Sequence, residues 1–174
     1  MGSTAKGIVY PNPGDQPRRL AFETLATTAD TAIGNEVSAA VSLLGLWSNF
    51  SPEWTATTTN PTLGNGTLTG RFVQIGKTVH FSMILALGST TTIGSGNYRF
   101  SLPVACADTT YSPIGSSHLR DSSGPDFRLC PAFLVTSTTV GVMNGATAAQ
   151  LTNVAPWTWA VGDQIRINGT YEAA

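Results

Sequence analysis

The sequence predicts a mainly β protein: an antiparallel β-sandwich or jelly roll, preceded by an extended N-terminal arm and a helical oligomerisation segment. Residues 51–81 carry the clearest signal, since two alternating apolar runs flank the turn dipeptides Asn60-Pro61, Asn65-Gly66 and Gly76-Lys77. After Phe50, short strand-like runs are separated by Gly, Asn, Pro and Ser. The 174 residues are enough for one such domain plus an appendage.

Residues 1–17 are predicted to form an extended arm. Pro11, Pro13 and Pro17 restrict the backbone and remove hydrogen-bond donors, so this segment is expected to run extended over another surface. An exposed aromatic residue in such a strip is a typical binding anchor, which makes Tyr10 the expected centre of attachment, with Arg18 and Arg19 as its polar flank. The N-terminus lacks the apolar region of an export signal, so we expect synthesis in the cytoplasm without export.

Residues 18–50 are predicted to form the helical oligomerisation segment. Apolar residues recur at spacings of three and four without an internal proline, and Gly34-Asn35 is expected to interrupt the helix before a second stretch that ends near Gly45. A helix of this length is marginal alone, so its apolar side must pack on another copy of the chain or on the chain's own sandwich. The residues of that side are Leu20, Phe22, Leu25, Ala29, Ile33, Val37, Val41 and Leu44.

Residues 51–174 are predicted to form the sandwich. Val79, Phe81 and Met83 alternate with His80 and Ser82, as a half-buried strand requires. Residues 89–96 are too small and polar to contribute to a core and are expected to form a loop or a hairpin at the rim. The expected strands are Glu53–Thr59, Thr67–Ile75, Thr78–Leu87, Tyr98–Ser101, Ser116–Asp121, Phe127–Ala132, Leu134–Thr136, Thr139–Met143 and Gln164–Glu172.

The charge content indicates which partners are disfavoured. Charged residues make up 11% of the chain and the net charge is −1, so no basic surface is available for nucleic acid or for an anionic membrane. The longest apolar run, residues 79–87, is far shorter than the ~20 residues of a membrane-spanning helix. We therefore expect neither nucleic-acid binding nor membrane insertion.

The residues of catalytic and metal sites occur without the spacing that such sites need. The sequence has no G-x-S-x-G motif and no pair of carboxylates that indicates a shared cleft, so we expect no enzyme, no catalytic residue and no cofactor. His118, Asp121 and Asp126 fall in a turn-rich segment whose side chains are expected to bond their own backbone and not a metal ion. Asp163 is expected to cap a hairpin turn, and His80 to face solvent or an interface.

The cysteines and the aromatic residues leave two alternatives open. Cys106 and Cys130 are either two reduced, small hydrophobic residues or a disulfide. Trp54 and Trp159 are expected in the core. A candidate glycan-stacking patch, or alternatively a set of subunit contacts, consists of Asn97, Tyr98, Tyr111 and Trp157.

Several segments resemble bacteriophage proteins. NPTLGNGTLTGRFVQIGKTVHF, GSTTTIGSGNYRFSLPV and WAVGDQIRINGTYEAA resemble the C-terminal sandwich modules of phage tail fibres and minor tail proteins, especially those of actinobacterial phages. The stretch AKGIVYPNPGDQPRRLAFETLATTADTAI is similar to the leader of phage virion appendages.

This resemblance implies a virion structural protein made in the host cytoplasm, a trimeric tail fibre or minor tail appendage for attachment or for binding a host-surface glycan. The arm, with Tyr10, Pro11, Pro13, Arg18 and Arg19, would contact other virion proteins. The alternatives are a capsid decoration or head fibre protein anchored by the arm, and a hydrolase of cell-wall polysaccharide.

Overall fold

A computed structural model describes residues 2–3, 9–10, 19–43, 45–109, 111–124, 126–145, 147 and 149–174. The chain divides into two compact units, Met1–Leu46 and Trp47–Ala174. Pro11, Pro13, Arg18 and Leu44, which the sequence predicts to take part in attachment or oligomerisation, lie outside the described residues.

Where the structure describes it, the first unit forms two short strands and a helix. Strand β1 (Gly2–Ser3) pairs antiparallel with β2 (Val9–Tyr10), and helix α1 spans Arg19–Leu43. The expected interruption at Gly34-Asn35 is wrong, because α1 continues through both residues. A glycine inside a helix costs only about 1 kcal/mol relative to alanine and keeps its N–H, so it weakens a helix without breaking it. Gly45, with φ +86, follows the helix in the left-handed conformation that commonly ends one.

The described residues of the second unit form one nine-stranded, antiparallel sheet, which confirms the predicted mainly β fold. The strand order across the sheet is β3-β5-β6-β11-β8-β9-β10-β7-β4. The strands are β3 (Ser48–Phe50), β4 (Trp54–Ala56), β5 (Thr67–Ile75), β6 (Thr78–Ala86), β7 (Tyr98–Ser101), β8 (Pro113–Arg120), β9 (Phe127–Thr136), β10 (Thr139–Val142) and β11 (Gln164–Glu172).

The last strand, β11, lies inside the sheet between β6 and β8. It pairs with β6 from Gln164↔Ala86 to Glu172↔Thr78, and with β8 from Gln164↔Arg120 to Gly169↔Gly115. β5 and β6 form a hairpin whose turn contains Gly76 at φ +59, as the Gly76-Lys77 dipeptide predicts. The C-terminal segment therefore joins the β5–β6 hairpin to the β8–β9 hairpin.

The sheet curls around a single apolar core. Trp54 on the edge strand β4 belongs to the same buried cluster as Phe81 on β6 and Ile167 on β11, which requires the sheet to fold over on itself. The rings of Trp54 and Tyr98 meet edge to face with centroids 5.1 Å apart. Trp54 and Trp159 are only 9% and 7% exposed, which confirms that both belong to the core.

Most predicted strands are present, with local differences. Strand β8 begins at Pro113, earlier than expected, and the two runs predicted on either side of Phe133 form the single strand β9. Residues 89–96 form no strand and contribute only the isolated bridges Thr62↔Thr92 and Thr59↔Ser95. Cys106 and Cys130 are buried free thiols, and burial raises the pKa of Cys130.

Candidate binding surfaces

Helix α1 exposes part of its predicted apolar side. Ile33, Val37 and Val41 follow one another at a spacing of four residues and are 60%, 55% and 58% exposed. The hydroxyls of Thr27 and Thr31 donate to the carbonyls of Glu23 and Thr27 at 2.8 Å, so they are already bonded within the helix. Ile33, Val37 and Val41 are called the helix stripe below.

The other residues of the predicted attachment and oligomerisation sets are only partly placed. Leu25 and Ala29 are half-buried in α1. Tyr10 lies in β2, and Arg19, Leu20 and Phe22 lie in the first turn of α1.

A groove lies on the outer face of the sheet where β6 and β11 pair. It has a volume of about 260 Å³ and is lined by Trp47, His80, Phe81, Ser82, Asn168, Gly169 and Thr170. Trp47 is 48% exposed, and the Cζ atom of Arg71 lies 4.9 Å from the centre of its ring. This cation–π contact holds the indole beside the sheet. The arrangement is called the Trp47 groove below.

The polar groups of the Trp47 groove are an imidazole, two hydroxyls and a side-chain amide. His80 is exposed, as predicted, and its Nδ1 lies 2.8 Å from the Thr170 hydroxyl. Asn168 accepts a bond from the Ser116 hydroxyl at 3.4 Å through Oδ1. Within the described part of the chain, the Ser82 hydroxyl and the Asn168 amide nitrogen have no hydrogen-bond partner, so both can bond a ligand.

A second outer surface, on β9, is apolar. Phe127, Leu129 and Tyr111 are 59%, 81% and 74% exposed, and Pro131 is exposed between Leu129 and Phe133. The Phe127 ring lies parallel to the His118 ring at 5.2 Å, and the Tyr111 ring lies parallel to the Phe133 ring at 5.9 Å. Phe127, Leu129, Pro131 and Tyr111 are called the apolar strip below.

The residues considered for a metal site are engaged differently. His118 lies on β8, within the predicted strand Ser116–Asp121, and its ring stacks on Phe127. Asp121 accepts bonds from the side chain and the backbone N–H of Ser123, and these bonds lower the pKa of Asp121. Among the described residues, no three His, Cys, Asp or Glu side chains form a group that could hold a metal ion.

Asp163 accepts the hydrogen bonds of a buried polar network. The sequence predicts only that it caps a hairpin turn. The residue is 0% exposed. Its Oδ1 accepts bonds from the backbone N–H and the hydroxyl of Ser122 at 2.8 and 2.9 Å. Its Oδ2 accepts bonds from Ala160 N–H at 2.9 Å and from Trp157 Nε1 at 3.2 Å. The Gly162-Asp163 dipeptide signals the turn, but nothing local in the sequence shows the distant donor Ser122.

The four residues of the candidate glycan patch do not form one open surface. Tyr98 is 1% exposed, and its hydroxyl donates to the Ile93 carbonyl at 2.8 Å. Trp157 is half-buried against Trp159, with the Arg128 guanidinium 5.6 Å from its ring centre. Asn97 is half-buried and Tyr111 belongs to the apolar strip. An exposed aromatic ring beside uncommitted polar groups is found instead at the Trp47 groove.

None of the helical residues that the structure describes forms a span long and apolar enough to cross a membrane.

Comparison with known proteins connects the chain to a phage tail fibre protein. No family model and no solved structure matches the chain. The chain is 24% identical over 192 aligned residues to the Mu-like prophage FluMu defective tail fiber protein of Haemophilus influenzae. The alignment covers 98% of this chain and 30% of that protein, so the chain spans less than a third of its relative's length. This likeness supports a phage tail-related structural protein.

Proposed function

We propose that this chain is a non-enzymatic component of a phage tail fibre or minor tail appendage, and that it acts as a homotrimer. Residues 1–17 attach it to other virion proteins and the helical segment of residues 18–46 oligomerises. The unit Trp47–Ala174, which adds Trp47 and strand β3 to the predicted residues 51–174, contacts the host surface. The likeness to a tail fibre protein over 98% of the chain supports the general role. The location in the virion and the copy number of three follow the resemblance noted in the sequence.

The helix stripe is the observation that carries the oligomeric part of this proposal. Ile33, Val37 and Val41 are each more than half exposed and lie along one side of α1. Burying aliphatic side chains of this size contributes about 1.5 to 3 kcal/mol each. Three such side chains on every copy of the protein favour a helix-to-helix contact between copies.

Sedimentation equilibrium of the full chain tests the trimer. At tens of micromolar, a usual concentration for such measurements, we expect three times the chain mass. The triple change Ile33→Ser, Val37→Ser, Val41→Ser should shift the protein to monomer, whereas the control Asp30→Ser, Asn35→Ser changes exposed polar residues of the same helix and should not. A monomeric wild type would contradict the oligomeric role.

Incorporation into particles tests the attachment arm. Deleting residues 1–9 together with Tyr10→Ala should leave the protein soluble and oligomeric but absent from purified particles, because aromatic anchors typically contribute ~2 kcal/mol or more to an interface. The matched control keeps Tyr10 and deletes residues 1–5 only. Normal occupancy of the truncated protein would move the attachment site out of the arm.

The Trp47 groove supports a host-surface glycan as the ligand of the second unit. Sugars bind proteins through apolar C–H faces that stack on aromatic rings and through hydroxyls that need neutral donors and acceptors. The exposed Trp47 ring and the polar groups of Ser82 and Asn168 provide both at one place. We therefore place glycan binding at this groove and not at Tyr98 or Trp157.

Nuclear magnetic resonance with glucose, galactose and N-acetylglucosamine tests the groove. At sugar concentrations of about the millimolar dissociation constants expected for weak sites, the Trp47 indole N–H signal should shift, and Asn168→Ala should reduce that shift. Thr69→Ala, on the exposed part of β5, is the control. Shifts confined to other tryptophans would place the glycan site elsewhere.

A further inference from the structure

Strand β9 is apolar on both of its faces although only one face meets the core. Cys130, Ala132 and Leu134 point inward and are at most 2% exposed. The alternate residues Phe127, Leu129 and Pro131 lie on the outer face and are exposed. Strands that are apolar on both faces are typical of sheets that are covered on both sides. The outer face of β9 therefore has the composition of a covered surface.

Tyr111 extends this surface with an unusual backbone conformation. It has φ +48, the only positive φ at a non-glycine position among the described residues, and it holds a ring that is 74% exposed. Such a conformation costs of order 1 kcal/mol or more and tends to persist where it serves a function. Here it places the Tyr111 ring flat against Phe133 instead of inside the protein. Tyrosine is among the residues most enriched at interface hot spots.

The chemistry of the apolar strip distinguishes between ligands. Leu129 and Pro131 offer no side-chain hydrogen bonds, whereas sugars require placed polar groups and nucleic acid requires positive charge. The strip itself contains no charged side chain. Interfaces between permanently associated copies are the class in which apolar side chains dominate the buried centre.

The size of the strip favours another copy of this chain over an unrelated partner. From Phe127 to Leu129 to Phe133, β9 extends about 20 Å at ~3.3 Å per residue. A surface of that length and two strands wide provides only part of the roughly 800 Å² per partner that a stable interface buries. The strip therefore needs a second contact with the same partner, and the helix stripe of every copy provides one.

We propose that the apolar strip is a permanent contact with another copy of this chain, a second interface in addition to the helix stripe. The proposal depends on the proposed oligomeric function, and it assigns to the β-sheet unit a share of the assembly. Phe127, Leu129 and Tyr111 are the residues that a neighbouring copy covers.

Thiol labelling of the full-length chain tests this assignment. Leu129→Cys places one reactive group on the strip, Thr69→Cys places one on the exposed part of β5, and the natural thiols of Cys106 and Cys130 are only 4% and 2% exposed. We expect a maleimide to label Leu129→Cys at least about tenfold more slowly than Thr69→Cys, since the reagent reaches a covered thiol only after dissociation or local opening. Dilution to monomer, or the triple serine variant of the helix stripe, should remove the difference.

A second variant covers the case in which Leu129→Cys itself weakens the contact. Tyr111→Ser with Phe127→Ser should raise the dissociation constant of the oligomer at least about tenfold and leave the far-ultraviolet circular dichroism spectrum unchanged. If the full chain is oligomeric but Leu129→Cys labels as fast as Thr69→Cys, the strip proposal is overturned while the oligomeric function stands. A monomeric full chain overturns both. If the maleimide labels Leu129→Cys fast without dextran and slowly with dextran, the strip is a glycan site. That result overturns the contact between copies.

Discussion

Helix α1 and strand β6 both carry apolar side chains at regular spacing, but those of β6 are buried whereas those of the helix stripe are exposed. Val79, Phe81, Met83 and Leu85 on β6 are at most 2% exposed, whereas Ile33, Val37 and Val41 on α1 are 55% to 60% exposed. Apolar periodicity thus identifies the side of an element that seeks a partner, but it does not identify that partner. The four predictions below test this contrast.

The largest effect is expected in the covered region. Phe81→Ala removes a ring that packs against Tyr171, with centroids 5.8 Å apart, and leaves a cavity. The free energy of unfolding should fall by about 3 to 5 kcal/mol, as measured by urea denaturation followed by tryptophan fluorescence. Ile33→Ala is the matched change in the exposed region, and it should leave the unfolding of the second unit unchanged. Equal losses for the two variants would contradict the contrast.

The next largest effect is expected at the buried polar network. Asp163→Asn replaces one acceptor oxygen by an NH₂ group, which then faces N–H or O–H donors that it cannot satisfy. The free energy of unfolding should fall by about 2 kcal/mol, measured in the same denaturation assay. Asp126→Asn, at an exposed position, is the control and should cause little change. An unchanged free energy of unfolding in Asp163→Asn would show that water satisfies the hydrogen-bonding groups of the network.

A smaller effect is expected in the helix. Gly34 lies within α1, and a Cβ atom added there meets nothing within 4 Å, so Gly34→Ala should stabilise the helix by about 1 kcal/mol. Gly45→Ala also meets open space, but φ is +86 there, so this variant should lower helix content. Circular dichroism at the helix band measures both. Helix content should rise in Gly34→Ala and fall in Gly45→Ala. A rise in both variants would mean that the space around the added Cβ atom alone decides the outcome.

A further effect is expected at high pH. Burial raises the pKa of Tyr171 to about 12 from the ordinary value of 10.0, although the hydrogen bond with the Val104 backbone acts in the opposite direction. The folded state therefore favours the protonated phenol. The stability that the raised pKa of Tyr171 contributes is complete below pH 10.0 and is lost as pH rises through about 12. Melting temperature should fall in that window, and Tyr171→Phe should reduce the fall. An unchanged pH profile in the variant would assign the loss to other groups, such as Tyr98, whose pKa burial also raises.

The candidate sites were less predictable than the strands. Trp47, His80 and Asn168 are far apart in sequence. His80 and Asn168 meet because β11 pairs with β6 at Asn168↔Ser82 and Thr170↔His80, and Trp47 joins them because β3, which follows it, pairs with β5. Tyr98 and Trp157 showed the aromatic character of a glycan site, but composition alone does not reveal that Tyr98 is buried. The apolar residues of β9 were visible as a run, but the run does not show which of them the core covers.

The sequence by itself determined most of the strand positions, because alternation and turn dipeptides are local properties of a few consecutive residues. Strand β3 (Ser48–Phe50) is an exception, since it falls in the segment predicted to be helical. The predicted strands Thr67–Ile75, Tyr98–Ser101 and Gln164–Glu172 have the bounds that the structure shows. Only the tertiary structure decided that β11 lies between β6 and β8, that Asp163 is buried, and that the outer face of β9 is left open. The physical reason is that strand pairing and burial depend on contacts between residues distant in the chain, which local patterns do not specify.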